Sequence, residues 1–335
     1  MARPIDEFVL AWSALSGASD EEGWRSIAVA SAGSCSLMAG RRFPGNEEAL
    51  LAGFSAAKLP AAAEKLPEGR GFDVSRADPH GDGKIWIALS RKELGSVEMF
   101  AEMVGDVAGA MDAVAAEGED RILRTLLGRI RSWQEFMRKG LQVLSPEEEI
   151  GLVGELSFLC ALLEAGVPAT LAVEAWVGPL NGVQDFVLGT GAVEVKATLS
   201  SQGFPAKIGS LEQLDDSVLK PLFLAGVRFL QRESGKNLPE FANAVGEILL
   251  GEAEASRGFS DKLLAAGFHA GHADRYPRRF SLEGTRIVEV KDAFPRIIPG
   301  NILGGIRRVI YEIDLDRAPG GDSCLVEALN KLGVL

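Results

Sequence analysis

Gln184-Asp-Phe-Val-Leu-Gly-Thr-Gly-Ala-Val-Glu-Val-Lys-Ala-Thr198 is the stretch from which the rest of this chain is read. Two short apolar runs flank Gly189-Thr190, a two-residue connection with glycine where a type II′ hairpin turn needs a positive φ. That loop length pairs Leu188 with Gly191, and so sets Asp185 directly opposite Glu194. Opposed residues of a hairpin point to the same side, with Cβ atoms about 5 Å apart. Strand side chains alternate, so Glu194, Lys196 and Thr198 share that face, while Val193, Val195, Ala197 and Leu199 form the other. A loop of odd length would set Asp185 against Val195 and scatter the charges. Two facing carboxylates are costly without a cation between them, and the adjacent lysine completes a set suited to a divalent metal and an activated water.

Outward from the hairpin, 335 residues suffice for two domains, and 47% hydrophobic content allows a substantial core. The three cysteines, Cys35, Cys160 and Cys324, are far apart and lack metal-ligand spacing. They suit reduced thiols, and with an acidic N-terminus and no long apolar run the expected setting is cytoplasmic, away from membranes. The net charge is −12, unevenly spread: residues 1–120 carry −9 and the remainder −3. The part holding the hairpin is therefore near neutral, and nucleic-acid binding needs only a local basic stripe. No phosphate-binding loop, dinucleotide fingerprint or nucleophile elbow occurs.

The pattern predicts an α+β domain over residues 1–115 and an α/β domain with a mixed sheet flanked by helices over 116–335. In the first, helices are expected at Pro4–Leu15 and Leu94–Ala115, with strands at Trp24–Ala30 and Lys84–Leu89. The next helix, Arg121–Lys139, places Arg124, Arg131 and Arg138 at heptad spacing, either a phosphate-facing stripe or a solvated face. Ser145-Pro-Glu-Glu148 is a helix start with a capping box, and Gly166 is its stop. Thr170–Val177 reads as a strand, as do Pro221–Leu230, Arg286–Val290 and Arg307–Ile313, with helices near Leu238–Leu250 and Ser260–Ala266. Arg275, Arg278, Arg279 and Arg286 form a second basic patch, able to meet phosphates or internal acids.

An acid two residues before lysine occurs three times: Asp82-Gly-Lys84, Glu194-Val-Lys196 and Glu289-Val-Lys291. Asp82 sits in a Gly/Pro/His loop, and Glu289 has no suitably spaced acid upstream on a hairpin. Only the middle copy follows an acid, a tight turn and a capped helix. On that helix Glu155 faces Gly151, Phe158, Leu159 and Leu162, too apolar a setting for an unpartnered carboxylate. It reads as a third acid of the site or as the salt-bridge partner of Lys196.

A helix, a strand, a strand with Asp and a strand with Glu-x-Lys, in that order, resemble the PD-(D/E)XK nuclease superfamily over residues 146–230. Gly154–Leu159, Trp176–Pro179, Asp185-Phe186, Glu194–Thr198 and Phe294–Ile297 narrow this to a family of bacterial PD-(D/E)XK proteins, matching over roughly 110–315. Gln184 stands where the pattern name has proline. The resemblance implies a restriction-endonuclease-like core and a Mg²⁺- or Mn²⁺-dependent DNA endonuclease of a bacterial defence system. It further implies Asp185, Glu194 and Glu155 as metal ligands, Lys196 as the residue positioning the attacking water, and Gln213 lining the site. Expected partners are DNA, other defence proteins and a second copy of the chain. Arg124, Arg131, Arg138, Arg275, Arg278 and Arg279 are the expected DNA contacts. The alternative is a nuclease fold kept without catalysis, as a DNA-binding or assembly subunit.

Overall fold

The computed structural model describes residues 5–29, 31–57, 66–139, 143–291 and 293–335; Pro4 and Ala30, at the edges of two expected elements, lie outside them. It divides into two compact units, Met1–Leu141 and Gln142–Leu335. The expected boundary at 115/116 assigned the helix near 121–139 to the second unit. That helix instead belongs to the first, tied there by Arg129 pairing with Asp106 at 2.6 Å and by Trp133 Nε1 donating to Asp106 at 2.7 Å.

The first unit comprises α1 (Ile5–Leu15), β1 (Gly23–Ala28), β2 (Ser36–Phe43), β3 (Glu47–Phe54), β4 (Phe72–Ala77), β5 (Ile85–Arg91), α2 (Val97–Ala113) and α3 (Glu119–Lys139). Its antiparallel sheet runs β1-β2-β3-β5-β4. Strands β2, β3 and β4 escape the sequence reading. Ala39-Gly-Arg-Arg42 and Ala49-Leu-Leu-Ala-Gly53 lack the β-branched signature by which strands are recognised.

The second unit contains α4 (Pro146–Glu164), α5 (Ala169–Ala175), β6 (Phe186–Leu188), β7 (Gly191–Thr198), β8 (Pro205–Ile208), β9 (Leu222–Lys236), α6 (Leu238–Ile248), α7 (Ala253–Ala266), β10 (Phe280–Glu289), β11 (Tyr311–Asp314) and α8 (Leu325–Leu332). Its main sheet has the order β10-β9-β7-β6, with β7 and β9 parallel and the other pairs antiparallel. One face, with Val193, Val195, Phe223, Ala225 and Val227, packs with Leu152, Val153, Leu156 and Leu159 of α4. On the other face Ala192, Leu222 and Leu224 pack with Phe204, Ala206, Ile208 and Ile313, part of the small β8–β11 sheet and its flank. Glu194 and Lys196 lie on this second face by strand alternation.

Helix α4 begins as expected. Ser145 Oγ accepts from Glu148 N at 3.3 Å, and Glu148 Oε2 accepts from Ser145 N at 2.8 Å. It stops at Gly166, whose φ of 90° permits Val167 N to donate to Leu162 O and Gly166 N to Leu163 O, a Schellman motif. The strand expected at Thr170–Val177 is instead the helix α5. Its buried residues, Ala172, Val173, Ala175 and then Trp176, follow helical rather than alternating spacing. Alanine at 169, 172 and 175 favours that outcome. The strand expected at Arg307–Ile313 forms only over Tyr311–Asp314.

Gly189 has φ 56°, an added Cβ there would overlap the Leu332 carbonyl oxygen, and Thr190 N donates to that same oxygen at 3.1 Å. Gly189→Ala is therefore expected to cost at least about 2 kcal/mol in a urea melt, combining left-handed strain with a clash against rigid backbone. Unaltered stability would show that the turn relaxes freely.

Candidate active site

The hairpin register is Phe186↔Val193, Val187↔Ala192 and Leu188↔Gly191, so Asp185 and Glu194 are the next residues past the open end of the ladder, close enough for their charges to repel. Of the two turn residues only Gly189 has a positive φ, as a type II′ turn requires. The β6 ladder ends at Phe186, and the Asp185 carboxylate continues it: Oδ2 accepts from Val195 N at 2.8 Å. The Asp185 carbonyl accepts from Val177 N at 2.8 Å and Gly178 N at 3.0 Å. Both ends of this residue are thus fixed by backbone donors.

Glu194 is fully buried at 0% exposure. Lys196 Nζ lies 2.5 Å from its Oε1, a close ion pair in which the ammonium is the donor, while Oε2 has no hydrogen-bond partner among the described residues. Burial, with Asp185 adding to it, pushes the Glu194 pKa well above the ordinary glutamate range, against the opposing pull of Lys196. Burial also raises Asp185, offset in part by Lys196 and the Val195 amide. At Lys196 burial works against the charge, but Glu194 and Asp185 outweigh it and raise the pKa, so the side chain stays an ammonium. A neutral, nucleophilic amine is not what this setting favours.

Glu155 approaches from α4, where Gly154 allows the helix close to the sheet; a Cβ there would sit 2.8 Å from Ala197 Cβ. Trp176, just past α5, donates its indole N–H to Glu155 Oε2 at 2.6 Å. A Cβ on Gly178 would lie 2.9 Å from Asp185 Oδ1 and 3.0 Å from Glu155 Oε2. The two acids therefore border one small space that this glycine leaves open. Among the described residues no group of three or more His, Cys, Asp or Glu side chains is converged to hold a metal ion. Glu155 is held by Trp176 and Asp185 by Val195, so the acids stand near one another without closing on a point. The residues nevertheless fit a hard divalent cation: the ligand atoms are all oxygen, the buried Glu194 Oε2 has no hydrogen-bond partner among the described residues, and the space beside Gly178 is open.

The other expected site residues are placed differently. Gln213 Oε1 accepts from Gly209 N at 2.7 Å, so its side chain closes its own turn. Its backbone, with that of Glu212, is joined to the buried Gln184, whose Nε2 donates to Glu212 O at 3.2 Å and Gln213 O at 3.4 Å. Arg278 pairs with Glu149 at 3.0 Å and Arg279 with Glu240 at 2.7 Å, so the internal reading holds for both. Arg286 likewise pairs with Asp316 and Asp322. Arg275 is exposed. Arg124, Arg131 and Arg138 are exposed on α3 of the first unit, with Arg138 paired to Glu135 at 2.9 Å. Of the other acid-x-lysine copies, Glu289 binds Lys291 and Lys331, and Asp82 accepts from Trp86 Nε1 and Lys84 N. Sequence reasoning missed the roles of Gln184, Trp176 and Gly178. The Trp-x-Gly-Pro motif was the available signal, but nothing local shows that it touches Glu155.

No helix among the described residues is long and apolar enough to cross a membrane. No curated protein and no solved structure gives a significant match. A family model described as "Putative PD-(D/E)XK family member, (DUF4420)" matches residues 9–316, and the mixed α/β architecture is consistent with that fold. With nearly the whole chain covered and Asp185, Glu194 and Lys196 brought together at the end of the hairpin, the protein belongs to this PD-(D/E)XK family.

Proposed function

We propose that the chain is a divalent-metal-dependent DNA endonuclease, restriction-like, acting in bacterial defence within the cytoplasm. One observation carries the reading: a fully buried Glu194 whose only close donor among the described residues is Lys196, near enough to Asp185 for the two carboxylates to repel. Burying a carboxylate this way costs several kcal/mol, roughly, which selection tolerates where the charge is used. Asp185, Glu194 and Glu155 would hold Mg²⁺ or Mn²⁺. When bound, such a cation acidifies water and offsets the charge of a phosphodiester in hydrolysis. The Lys196 ammonium orients the attacking water or donates to a non-bridging phosphate oxygen, and its high pKa keeps the proton in place for either task. The Val195 and Gly178 amides keep Asp185 aimed, and Trp176 restricts Glu155.

A second reading is a nuclease-fold subunit without catalysis, working in DNA binding or assembly with other defence proteins or a second copy of itself. Favouring it, Glu155 and Asp185 each already accept a hydrogen bond from the protein. Incubation of the purified chain with supercoiled, linear and single-stranded DNA and with RNA separates the two. Nicking or cutting of DNA in Mg²⁺ or Mn²⁺, abolished by EDTA, is expected. Duplex binding with no cleavage in either metal would establish the second reading, and preferential RNA cutting would change the substrate.

A further inference from the structure

Residues 302–310, Ile-Leu-Gly-Gly-Ile-Arg-Arg-Val-Ile, form no regular secondary structure. Five of the nine are aliphatic, a composition that ordinarily ends up in a core. Here Leu303 is 81% exposed, Ile310 52% and Ile306 45%. Leaving Leu303 outside forgoes most of the about 1.5–3 kcal/mol of full burial, and each isoleucine roughly half of it. Arg307 and Arg308 are exposed between them, and neither makes an ion pair among the described residues. From Phe294 to Tyr311 the chain has three arginines and no acid, in a protein of net charge −12. The third, Arg296, is spent on structure.

The base of this loop is fixed. Arg296 Nη1 bonds Asp216 Oδ1 at 2.8 Å and Leu214 O at 3.1 Å, and Phe294 is buried in the cluster beneath β8 and β11. Ile297 N donates to Tyr311 Oη at 3.0 Å, joining the two ends of the loop. Tyr311 pairs with Ile208, which leads into the 209–213 turn that Gln184 grips beside Asp185. The Phe294–Ile297 motif thus anchors an exposed cationic and apolar loop to the segment bordering the acid cluster.

We infer that the 302–310 loop is a duplex-binding arm, with Arg307 and Arg308 on backbone phosphates and Leu303, Ile306 and Ile310 against the sugars and base edges of the minor groove. Arginine beside aliphatic wedges is a combination that serves minor-groove contact, and phosphates answer the charge that no carboxylate here does. The choice of ligand rests on the nuclease reading. Fluorescence anisotropy of a short labelled duplex in Ca²⁺, over a series of salt concentrations, tests it on the full chain. Arg307→Gln with Arg308→Gln should weaken binding on the order of 10- to 100-fold near 0.1 M salt and flatten the log–log salt slope by about 2. Leu303→Ser with Ile306→Ser should weaken binding and leave the slope unchanged. An unchanged melting temperature in both variants is expected, since these side chains are exposed. Equal affinity and slope in the arginine variant would overturn the inference, as would wild-type binding to anionic vesicles in place of duplex. Arginine-dependent binding by a chain that cuts nothing would leave the arm standing and remove the nuclease reading. Cleavage with unimpaired binding in the arginine variant would do the reverse.

Discussion

Glu194→Gln is expected to raise the stability of the metal-free protein by about 1–3 kcal/mol while lowering Mg²⁺-dependent cleavage at least about 100-fold. The two effects have one cause. Glu194 is wholly buried, meets the negative field of Asp185 and Glu155, and among the described residues has Lys196 at Oε1 and no donor at Oε2. A glutamine fills the same volume and removes the charge, so the desolvation cost falls, but it offers a cation only a neutral oxygen. Lys196→Ala should abolish cleavage as well, yet shift stability the other way, by roughly 2–4 kcal/mol, because it removes the cation that offsets both Asp185 and Glu194. The figure stays below that for a fully buried pair because the lysine side chain is 19% exposed. The pH dependence follows from the raised Glu194 pKa. Between the ordinary glutamate value and the raised one, the folded protein holds a proton that the unfolded chain has released. Stability conferred by that proton is full at the acid end and declines as pH rises through the window. Urea melts in EDTA between pH 5 and 8 should therefore slope downward for wild type and less so for Glu194→Gln. A destabilised Glu194→Gln, or parallel pH profiles, would mean that the carboxylate is comfortable where it lies and that no strain is held at the site.

How much of this was legible depended on the range of the interaction. Asp185 and Glu194 are nine residues apart, and a two-residue turn with alternating strands fixes by parity the hairpin register that brings them to its open end. The Ser145–Glu148 capping box and the Gly166 stop are equally local, and α4 lies between them. Residues 169–175 misled because their apolar run is too short for period to separate strand from helix, and tertiary burial decided. Arg278 was ambiguous for a different reason: Glu149, which neutralises it, lies 129 positions away. The Trp176 indole on Glu155 crosses 21 positions and two helices. No spacing rule encodes such a contact. The meeting of these acids was therefore readable from sequence, whereas the groups that hold them were not.

Gly178→Ala tests that holding arrangement at the cost of one methyl group. The residue does not occupy the left-handed region, so alanine can adopt its backbone without strain, and its N–H still donates to the Asp185 carbonyl. The added Cβ enters at 2.9 Å from Asp185 Oδ1 and 3.0 Å from Glu155 Oε2. Both distances are shorter than a comfortable carbon–oxygen contact, and Asp185 can yield little because Val195 N holds its other oxygen. Glu155 is restrained by Trp176, whose indole N–H donates to that same Oε2. A methyl group there occupies space bordered by two proposed cation ligands and displaces one or both. Displacements of this order at a reacting centre cost about 100-fold in rate. The expected outcome is a loss of cleavage of that size and at least a 10-fold, roughly, weaker Mn²⁺ affinity by calorimetry, resembling the effect of disturbing groups that orient a ligand. Metal-free stability should fall by no more than about 1–2 kcal/mol, within the range for modest overpacking. Tight Mn²⁺ binding by Gly178→Ala would place the cation away from Glu155 and Asp185 together. Weak binding with Glu155→Ala left unimpaired would point to Asp185 as the acid that the methyl displaces.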